Sequence, residues 1–163
     1  MESLFRRYWP GAYRAACFVV HDPAAAEDIA QEAFLAAIRA LDRFDRRRPF
    51  GPWLHRIVVN RAIDWARSRS LRSEVAAGDE SELVRASADR IDPPISAAAL
   101  SDEAGRALAS LSPEHRAVVV LRYLLDYTPG EIASMLELPR GTVNSRLRRA
   151  LDRLAGELEE TGG

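Results

Sequence analysis

Large apolar residues recur at intervals of three and four along both ends of this 163-residue chain. Such spacing places them on one face of an α-helix, whereas a half-buried strand would show strict alternation. It predicts an all-α fold, with helices over about 3–20, 22–41, 52–70, 96–111, 112–125, 128–136 and 140–158. Pro10-Gly11 is expected to bend or restart the first of these helices. In the second, the buried stripe is expected at Ile29, Ala30, Ala33, Phe34, Ala37, Ile38 and Leu41.

One acidic stretch separates the two helical parts. Residues 73–95 contain few large apolar side chains and end near Pro93-Pro94, a pair that stops helices. The net charge is +5 over residues 1–72, −6 over 73–105 and +3 over 106–153. We therefore predict two small helical domains, 1–72 and 96–158, joined by a flexible acidic linker at 73–95. A short helix around 82–88 is compatible with the linker.

Several classes of protein are disfavoured by composition. No apolar run approaches the roughly 20 residues of a membrane span, and the N-terminus lacks the pattern of a signal peptide. A single cysteine, Cys17, cannot form an internal disulfide, which fits the cytoplasm. His21, His55 and His115 have no metal-ligand spacing, and no glycine-rich phosphate loop occurs. We expect no membrane insertion, no cofactor, no metal and no catalytic site.

The C-terminal part contains the pattern of a helix-turn-helix. Thr128-Pro129-Gly130-Glu131 is a capping box that begins a short helix, and a longer arginine-rich helix follows the turn at 137–139. In this motif the second helix lies in the major groove of DNA, where arginine reads guanine and asparagine reads adenine. The candidate DNA contacts on that helix are Arg140, Thr142, Asn144, Ser145, Arg148 and Arg149. An arginine-rich solvated face of an ordinary bundle is the alternative.

The N-terminal part mixes arginines with aromatic residues between its second and third helices. The segment Arg43–Trp53 has the composition that single-stranded nucleic acid requires, with cations for phosphates and rings for unstacked bases. For the rings themselves we favour burial in the core. The better candidates for strand contact are Arg43, Arg46, Arg47, Arg48, Arg56, Asn60, Arg61 and Arg67.

One face of the second predicted helix is polar and mainly acidic. Asp28, Gln31, Glu32 and Leu35 share it, and a large apolar residue in its middle is unusual for a solvated surface. Either the face is simply hydrated, or it docks on a basic helical surface of a protein partner.

Taken in order, three segments resemble those of the extracytoplasmic-function (ECF) sigma factors of the sigma-70 family. Residues 26–34 resemble the polymerase-binding helix, residues 50–60 the promoter-melting segment, and residues 111–116, 120–122, 131–133 and 141–146 the second DNA-binding domain. The resemblance covers nearly all of the chain. Two sites depart from the family pattern: the arginine triplet and Pro49 in the loop at 43–49, and Asn144 and Arg148 in the last helix. Because of these departures, the resemblance does not specify the promoter sequence.

The resemblance implies a role for each group of residues. The side chains of Asp28, Gln31, Glu32 and Leu35 would face core RNA polymerase at the clamp helices of its largest subunit. The flap region of polymerase would be a further contact of the chain. The loop Arg43–Pro49, with Arg56, Asn60 and Arg61, would capture the melted −10 strand. Arg122 and the residues of the last helix would read the −35 duplex. An anti-sigma factor is also implied as a partner.

Two questions stay open at the level of the sequence. A dimeric helix-turn-helix repressor would explain the last two helices, although not the acidic face or the arginine loop. The acidic linker could be a flexible spacer, could run through the nucleic-acid channel of polymerase, or could mask the DNA-binding arginines of the free protein.

Overall fold

The computed structural model describes residues 2–75 and 102–162. Within these ranges every regular element is helical, which confirms the prediction of an all-α fold with two helical parts. We call residues 2–75 the first region and residues 102–162 the second region. The elements are α1 (Glu2–Val20), α2 (Pro23–Arg39), a 3₁₀ turn (Leu41–Arg43), α3 (Phe50–Val75), α4 (Asp102–Ala109), α5 (Pro113–Val119) continued by a π turn (Val120–Leu124), α6 (Pro129–Leu136) and α7 (Arg140–Gly162).

Short polar side chains set the starts of α2 and α5. Asp22 accepts a hydrogen bond from the amide of Ala25 at 3.1 Å, and Ser112 accepts one from the amide of His115 at 3.3 Å. In both helices a proline follows the cap at the first helical position, where its missing N–H costs nothing. These interactions are local in sequence, so the helix starts lie where the pattern predicted them.

The first helix is a single element. Helix α1 runs from Glu2 through Pro10 to Val20, so it does not restart at Pro10, and a bend there stays a prediction. Pro10 is exposed, so water can satisfy the carbonyl of Arg6 that loses its helical hydrogen bond. At the other end of the first region, α3 extends to Val75, past the predicted start of the linker at residue 73. The rest of the linker, the short helix predicted around 82–88, and the predicted helical residues 96–101 lie outside the described residues.

The first region is a three-helix unit in which α1, α2 and α3 pack pairwise. Its core contains the fully buried Val19 and Leu54, together with the buried Phe34. Most of the predicted stripe of α2 is buried, but Ile38 is 42% exposed, so its predicted burial was wrong. Ile38 lies at the edge of the stripe, near the end of α2, where it lines a small pocket with Phe5 and Leu41.

The second region folds around α7, which contacts α4, α5 and α6. Val143, Leu147 and Ala150 of α7 are buried, whereas Leu151 is 42% exposed. In the π turn, the amide of Leu125 donates to the carbonyl of Val120 at 3.1 Å. This wider turn ends the helix that starts at Pro113.

The two regions pack directly against each other. Val59 and Ile63 of α3 belong to the same buried cluster as Val118, Leu121 and Ile132 of the second region. In return, Val120 of the π turn is buried in the cluster formed by the first region. The contact between the regions is therefore apolar and continuous with both cores.

Candidate nucleic-acid interface

The arginine loop between α2 and α3 is a compact turn. The side chain of Asp45 accepts a hydrogen bond from the amide of Arg47 at 3.0 Å, and its carbonyl accepts one from the amide of Arg48 at 2.9 Å. The side chains of Arg46, Arg47 and Arg48 are all exposed. The turn fixes the backbone of the loop while its cations remain available to an anionic partner.

Aromatic stacking attaches this loop to α3. The ring of Phe44 stacks on Trp53 with centroids 4.5 Å apart and meets Phe50 edge to face at 5.9 Å. Phe50 and Trp53 are half-buried and pack against the first core, in line with our preference for burial. Because the rings already stack on one another, the loop is anchored by aromatic contacts and presents arginines to its surroundings.

The strand-contact candidates on α3 have intramolecular partners in this structure. Arg56 donates to the carboxylate of Glu137 at 2.6 Å, and Arg61 donates to that of Glu32 at 3.3 Å. The second of these ion pairs joins a residue expected to meet DNA with one expected to meet polymerase. Asn60 is half-buried on the same helix.

An open cleft of about 600 Å³ lies beside the arginine loop. Arg43, Arg48 and Arg56 line it from the first region, together with the ring of Trp53. Its opposite wall comes from α6 and the residues just before it, including Tyr127, Glu131, Ser134 and Met135. The structure thus brings three predicted strand contacts together at one cleft, with the second region on its far side.

The helix-turn-helix has the geometry that its sequence predicted. Thr128 accepts a hydrogen bond from the amide of Glu131 at 3.2 Å, and Glu131 accepts one from the amide of Thr128 at 3.0 Å, which completes the capping box. These hydrogen bonds lower the pKa of Glu131. Helix α6 ends at Leu136, and the next residue, Glu137, has a φ of 55°, the left-handed conformation that reverses a chain after a helix.

Helix α7 presents a polar face opposite its buried stripe. Arg140, Asn144, Ser145, Arg148 and Arg149 are exposed, and Thr142 is half-buried. The guanidinium of Arg140 lies over Gly130 at the start of α6, in space that a Cβ atom at position 130 would contest. Every predicted contact on α7 is therefore at or near the surface, in the first half of the helix.

Arg122 has a structural partner. It lies in the π turn, half-buried, where it donates to the carbonyl of Tyr127 at 3.3 Å, and its guanidinium is 5.7 Å from the ring of Tyr123. The contact with Tyr127 ties the π turn to the residues that precede α6. A contact of Arg122 with DNA stays a prediction.

The predicted polymerase face lies on α2. Asp28, Gln31 and Glu32 are exposed there, and Leu35 is 51% exposed. Ile38 on the same helix and Phe5 on α1 are also more than two-fifths exposed. The surface therefore combines carboxylates with large apolar side chains, a composition suited to a protein partner.

Sequence reasoning missed the polar contacts between the two regions. His55 Nδ1 lies 2.6 Å from the hydroxyl oxygen of Tyr127, and burial lowers the pKa of His55 to about 4. Arg67 forms an ion pair with Glu114. Burial alone would raise the pKa of Glu114, but hydrogen bonds to its backbone and to Arg67, with the charges of Arg67 and Arg146, leave that pKa below its usual value. No local pattern could have revealed contacts between residues this far apart in sequence.

Two further observations concern the described residues alone. No helix among them is long and apolar enough to cross a membrane. They also contain no group of three or more histidine, cysteine, aspartate or glutamate side chains placed to hold a metal ion.

The two regions match different parts of one family. The family description "Sigma-70 region 2" matches residues 4–72, and "Sigma-70, region 4" matches residues 101–154. A lone helix-turn-helix repressor would not explain the first match. That alternative is therefore disfavoured.

Relatives of known class match over most of their length. The chain is 35% identical over 145 residues to the ECF RNA polymerase sigma factor SigW of Bacillus subtilis, covering 83% of the chain and 76% of SigW. It is 34% identical over 164 residues to the ECF RNA polymerase sigma factor SigL of Mycobacterium tuberculosis, covering 99% of the chain and 90% of SigL.

Solved structures have the same fold. The sigma factor RpoE of Bartonella quintana, determined with the anti-sigma factor NepR, superposes with a TM-score of 0.76 at 23% identity, over 97% of this chain and 96% of that one. CnrH, determined with the cytosolic domain of CnrY, superposes with a TM-score of 0.68 at 28% identity, over 98% of this chain and 87% of that one. With both family regions matched in order and these relatives aligned over most of their length, the chain belongs to the ECF sigma factors of the sigma-70 family, regulatory subunits that direct promoter-specific transcription initiation.

Proposed function

We propose that the chain binds core RNA polymerase through α2 and reads a promoter at two separate places. The observation that carries the proposal is the separation of three surfaces: an acidic and apolar face on α2, an exposed arginine loop after it, and an exposed polar face on α7. Each surface has the chemistry of its expected partner. The binding takes place in the cytoplasm, where polymerase and promoter meet.

The polymerase face works by anchoring. Leu35 supplies a large apolar contact, and the carboxylates of Asp28 and Glu32 around it favour a basic helical surface such as the clamp helices of the largest subunit. The flap region of polymerase is a second contact. Gln31 completes this face of α2.

The −10 element is captured as a single strand. The exposed Arg46, Arg47 and Arg48 would hold phosphates, with Arg43, Arg56, Asn60 and Arg61 beside them. Unstacking a base costs a few kcal/mol. Contacts to a captured single strand return about 1–3 kcal/mol per base. Polymerase makes the balance favourable because it holds the loop and the DNA in register.

The −35 element is read as a duplex by α7. Arg148 and Asn144 are exposed and can form bidentate contacts to guanine and adenine, respectively. Arg140, Thr142, Ser145, Arg149 and Arg122 would contribute contacts to phosphates or bases. These residues lie in the first half of the helix, which is the part that a helix-turn-helix inserts into the major groove.

An anti-sigma factor is the expected inhibitor. Support comes from the two solved structures of similar fold, each of which was determined with an inhibitory or cytosolic partner domain. The acidic linker was predicted at 73–95, and its residues 76–95 lie outside the described ranges. Its role stays a prediction with three alternatives: a flexible spacer, a segment that runs through the nucleic-acid channel of polymerase, or a segment that masks the DNA-binding arginines of the free protein.

Transcription by purified core polymerase tests the proposal. Core alone and core with the chain are incubated with genomic DNA of the source organism, and the 5′ ends of the transcripts are mapped. We expect a small set of new start sites that share two upstream elements at constant spacing. Failure of the chain to add any start site, with a known sigma factor active in parallel, would exclude the proposed function.

A further inference from the structure

One glycine of the helix-turn-helix leaves room for the side chain of an arginine. Gly130 is the second residue of α6, and a Cβ atom built on it would clash with Nη2 of Arg140 and lie 3.3 Å from its Cζ. Real Cβ atoms do not come this close to other heavy atoms. The guanidinium of Arg140 therefore occupies space that is free only because residue 130 is a glycine.

The backbone of α6 gives no other reason for a glycine at this position. No glycine among the described residues has a positive φ, so Gly130 has a conformation that other residues adopt equally well. Inside a helix, glycine is less favourable than alanine, because it loses more backbone freedom on folding. Gly105 and Gly156 are also helical, yet a Cβ atom at either of them would meet nothing within 4 Å. The contact with Arg140 distinguishes Gly130 from both.

Packing against α6 sets the position of the Arg140 guanidinium. Arg140 is the exposed first residue of α7, and within the described ranges it has neither a hydrogen bond nor an ion pair. Arg56, Arg61 and Arg122, in contrast, each donate to an oxygen atom of the chain. The N–H groups of Arg140 are therefore available to a partner outside the chain.

The start of α6 is also where the DNA backbone is expected to pass. In a helix-turn-helix, the second helix lies in the major groove while the first helix crosses the backbone. A guanidinium that lies over the first turn of α6 is therefore beside the phosphates, whereas Asn144 and Arg148 further along α7 face the base edges. Arginine binds phosphate through a planar fork of N–H groups, so the orientation of its side chain matters.

We infer that Gly130 is a positioning residue for DNA binding: its missing Cβ atom lets the guanidinium of Arg140 lie across the start of α6, where it binds a backbone phosphate of the −35 duplex. Only the docking of α7 on duplex DNA rests on the proposed function. Because phosphates are the same at every base pair, Arg140 contributes affinity and no sequence preference.

Two single variants and their combination test the positioning. Gly130→Ala supplies the Cβ atom, and Arg140→Ala removes the guanidinium. If both act on the same contact, the double variant G130A/R140A should bind duplex DNA no more weakly than R140A alone. The matched control is Gly156→Ala, which makes the same change where the new methyl group meets nothing. Urea denaturation checks folding, and G130A should be at least as stable as the wild type.

Binding is measured on the full chain without polymerase, with a labelled duplex of mixed sequence, because a phosphate contact does not require a promoter. Fluorescence anisotropy between about 50 and 200 mM salt gives the slope of the logarithm of the binding constant against the logarithm of the salt concentration. For R140A and G130A we expect this slope to decrease by about 1 and the affinity near 50 mM salt to fall about tenfold. G156A should behave as the wild type.

A second measurement separates a phosphate contact from a base contact. The holoenzyme is bound to a mapped promoter and to copies of it in which each −35 base pair is replaced in turn. R140A should weaken binding to all of these duplexes by the same factor, since a phosphate contact carries no sequence information.

Four outcomes overturn the inference. R140A binds the mixed duplex as the wild type does, G130A keeps wild-type binding while R140A loses it, the double variant binds more weakly than R140A, or R140A relaxes the preference at one −35 position. Failure of the proposed function is a separate result, because it is decided by transcription with core polymerase. If the chain added no start site while G130A and R140A lost the same salt-dependent contact, the positioning of Arg140 by Gly130 would stand without the sigma-factor role.

Discussion

The imidazole of His55 and the phenol of Tyr127 are 2.6 Å apart across the junction of the two regions, and they link residues 72 positions apart in the sequence. Burial keeps His55 neutral by lowering its pKa from 6.5 to about 4, and burial raises the pKa of Tyr127 to about 12. Tyr8 of α1 also lies near this pair. The histidine of this contact is therefore uncharged at neutral pH.

Acidification should destabilise the folded chain through His55. Between pH 6.5 and about 4 the unfolded chain binds a proton at this residue and the folded chain does not. Its contribution to the free energy of unfolding is thus present above pH 6.5 and lost as the pH falls toward 4. Urea midpoints at about pH 7.5 and about pH 5 measure the loss. The His55→Gln variant can still form a hydrogen bond with Tyr127 but does not titrate, so it should lose less stability than the wild type between these two pH values. An equal loss of stability in both proteins would contradict the assignment to His55.

Removing the three loop arginines should weaken promoter opening. The variant Arg46→Ala/Arg47→Ala/Arg48→Ala deletes exposed cations but leaves the Phe44–Trp53 stack, so folding should be unchanged. The loss of three phosphate contacts should reduce the slope of the logarithm of the single-strand binding constant against the logarithm of the salt concentration by about 2. Permanganate footprinting of the melted region and salt titrations check this. Arg6→Ala, an exposed arginine of α1 paired with Glu2, is the control and should have no effect.

Truncation of an arginine on α7 should weaken duplex recognition. Arg148→Ala is expected to cost about 1–3 kcal/mol of binding at the −35 element if its guanidinium reads a base. Electrophoretic mobility shifts with the holoenzyme on a duplex promoter give the affinity. Arg153→Ala removes an exposed arginine further along the same helix and should cost much less. Equal losses for both variants would indicate a general charge effect.

A charge placed in the apolar centre of the α2 face should weaken polymerase binding. Leu35→Asp is expected to cost about 2 kcal/mol or more, as is usual for a central apolar anchor. Its matched control is Leu71→Asp, because Leu71 is 62% exposed near the end of α3. Affinity for core polymerase, measured by competition with a labelled sigma factor, separates the two variants. Similar affinities would place the polymerase contact elsewhere.

Loss of the cap on α6 should lower stability. Thr128→Ala removes the hydroxyl that accepts from the amide of Glu131, with an expected cost of about 1 kcal/mol in the free energy of unfolding. Ser134→Ala, on the exposed side of the same helix, should cost little. Chemical denaturation of the two variants measures the difference. A stability of T128A equal to that of S134A would mean that the cap contributes nothing measurable.

Local signals in the sequence were sufficient for the helices. The caps at Asp22, Ser112 and Thr128 depend on atoms within three residues, so their sequence patterns predict them directly. The restart at Pro10 and the burial of Ile38 were misjudged because the environment of both residues is set by the rest of the fold: an exposed carbonyl tolerates the proline, and Ile38 lies at the edge of the buried stripe of α2. Tertiary context decided both.

Contacts between the regions were beyond sequence reasoning. Arg67 and Glu114 are 47 positions apart, and Arg56 and Glu137 are 81 apart. Each of these side chains is equally consistent with a hydrated surface when read alone. The candidate DNA contacts could therefore be named from the sequence, whereas only the structure shows that Arg56, Arg61 and Arg122 already have partners within the chain.

The π turn at Val120–Leu124 also makes the contact between the regions sensitive to the number of residues in this segment. One residue of an α-helix advances the side chains by roughly 100°, so the wider turn alters which way the following residues point. With it, Val120 faces the first core, while its neighbour Leu121 and then Tyr127 face the second. Deleting a single residue here would therefore rotate Tyr127 away from His55 and weaken the contact between the two regions.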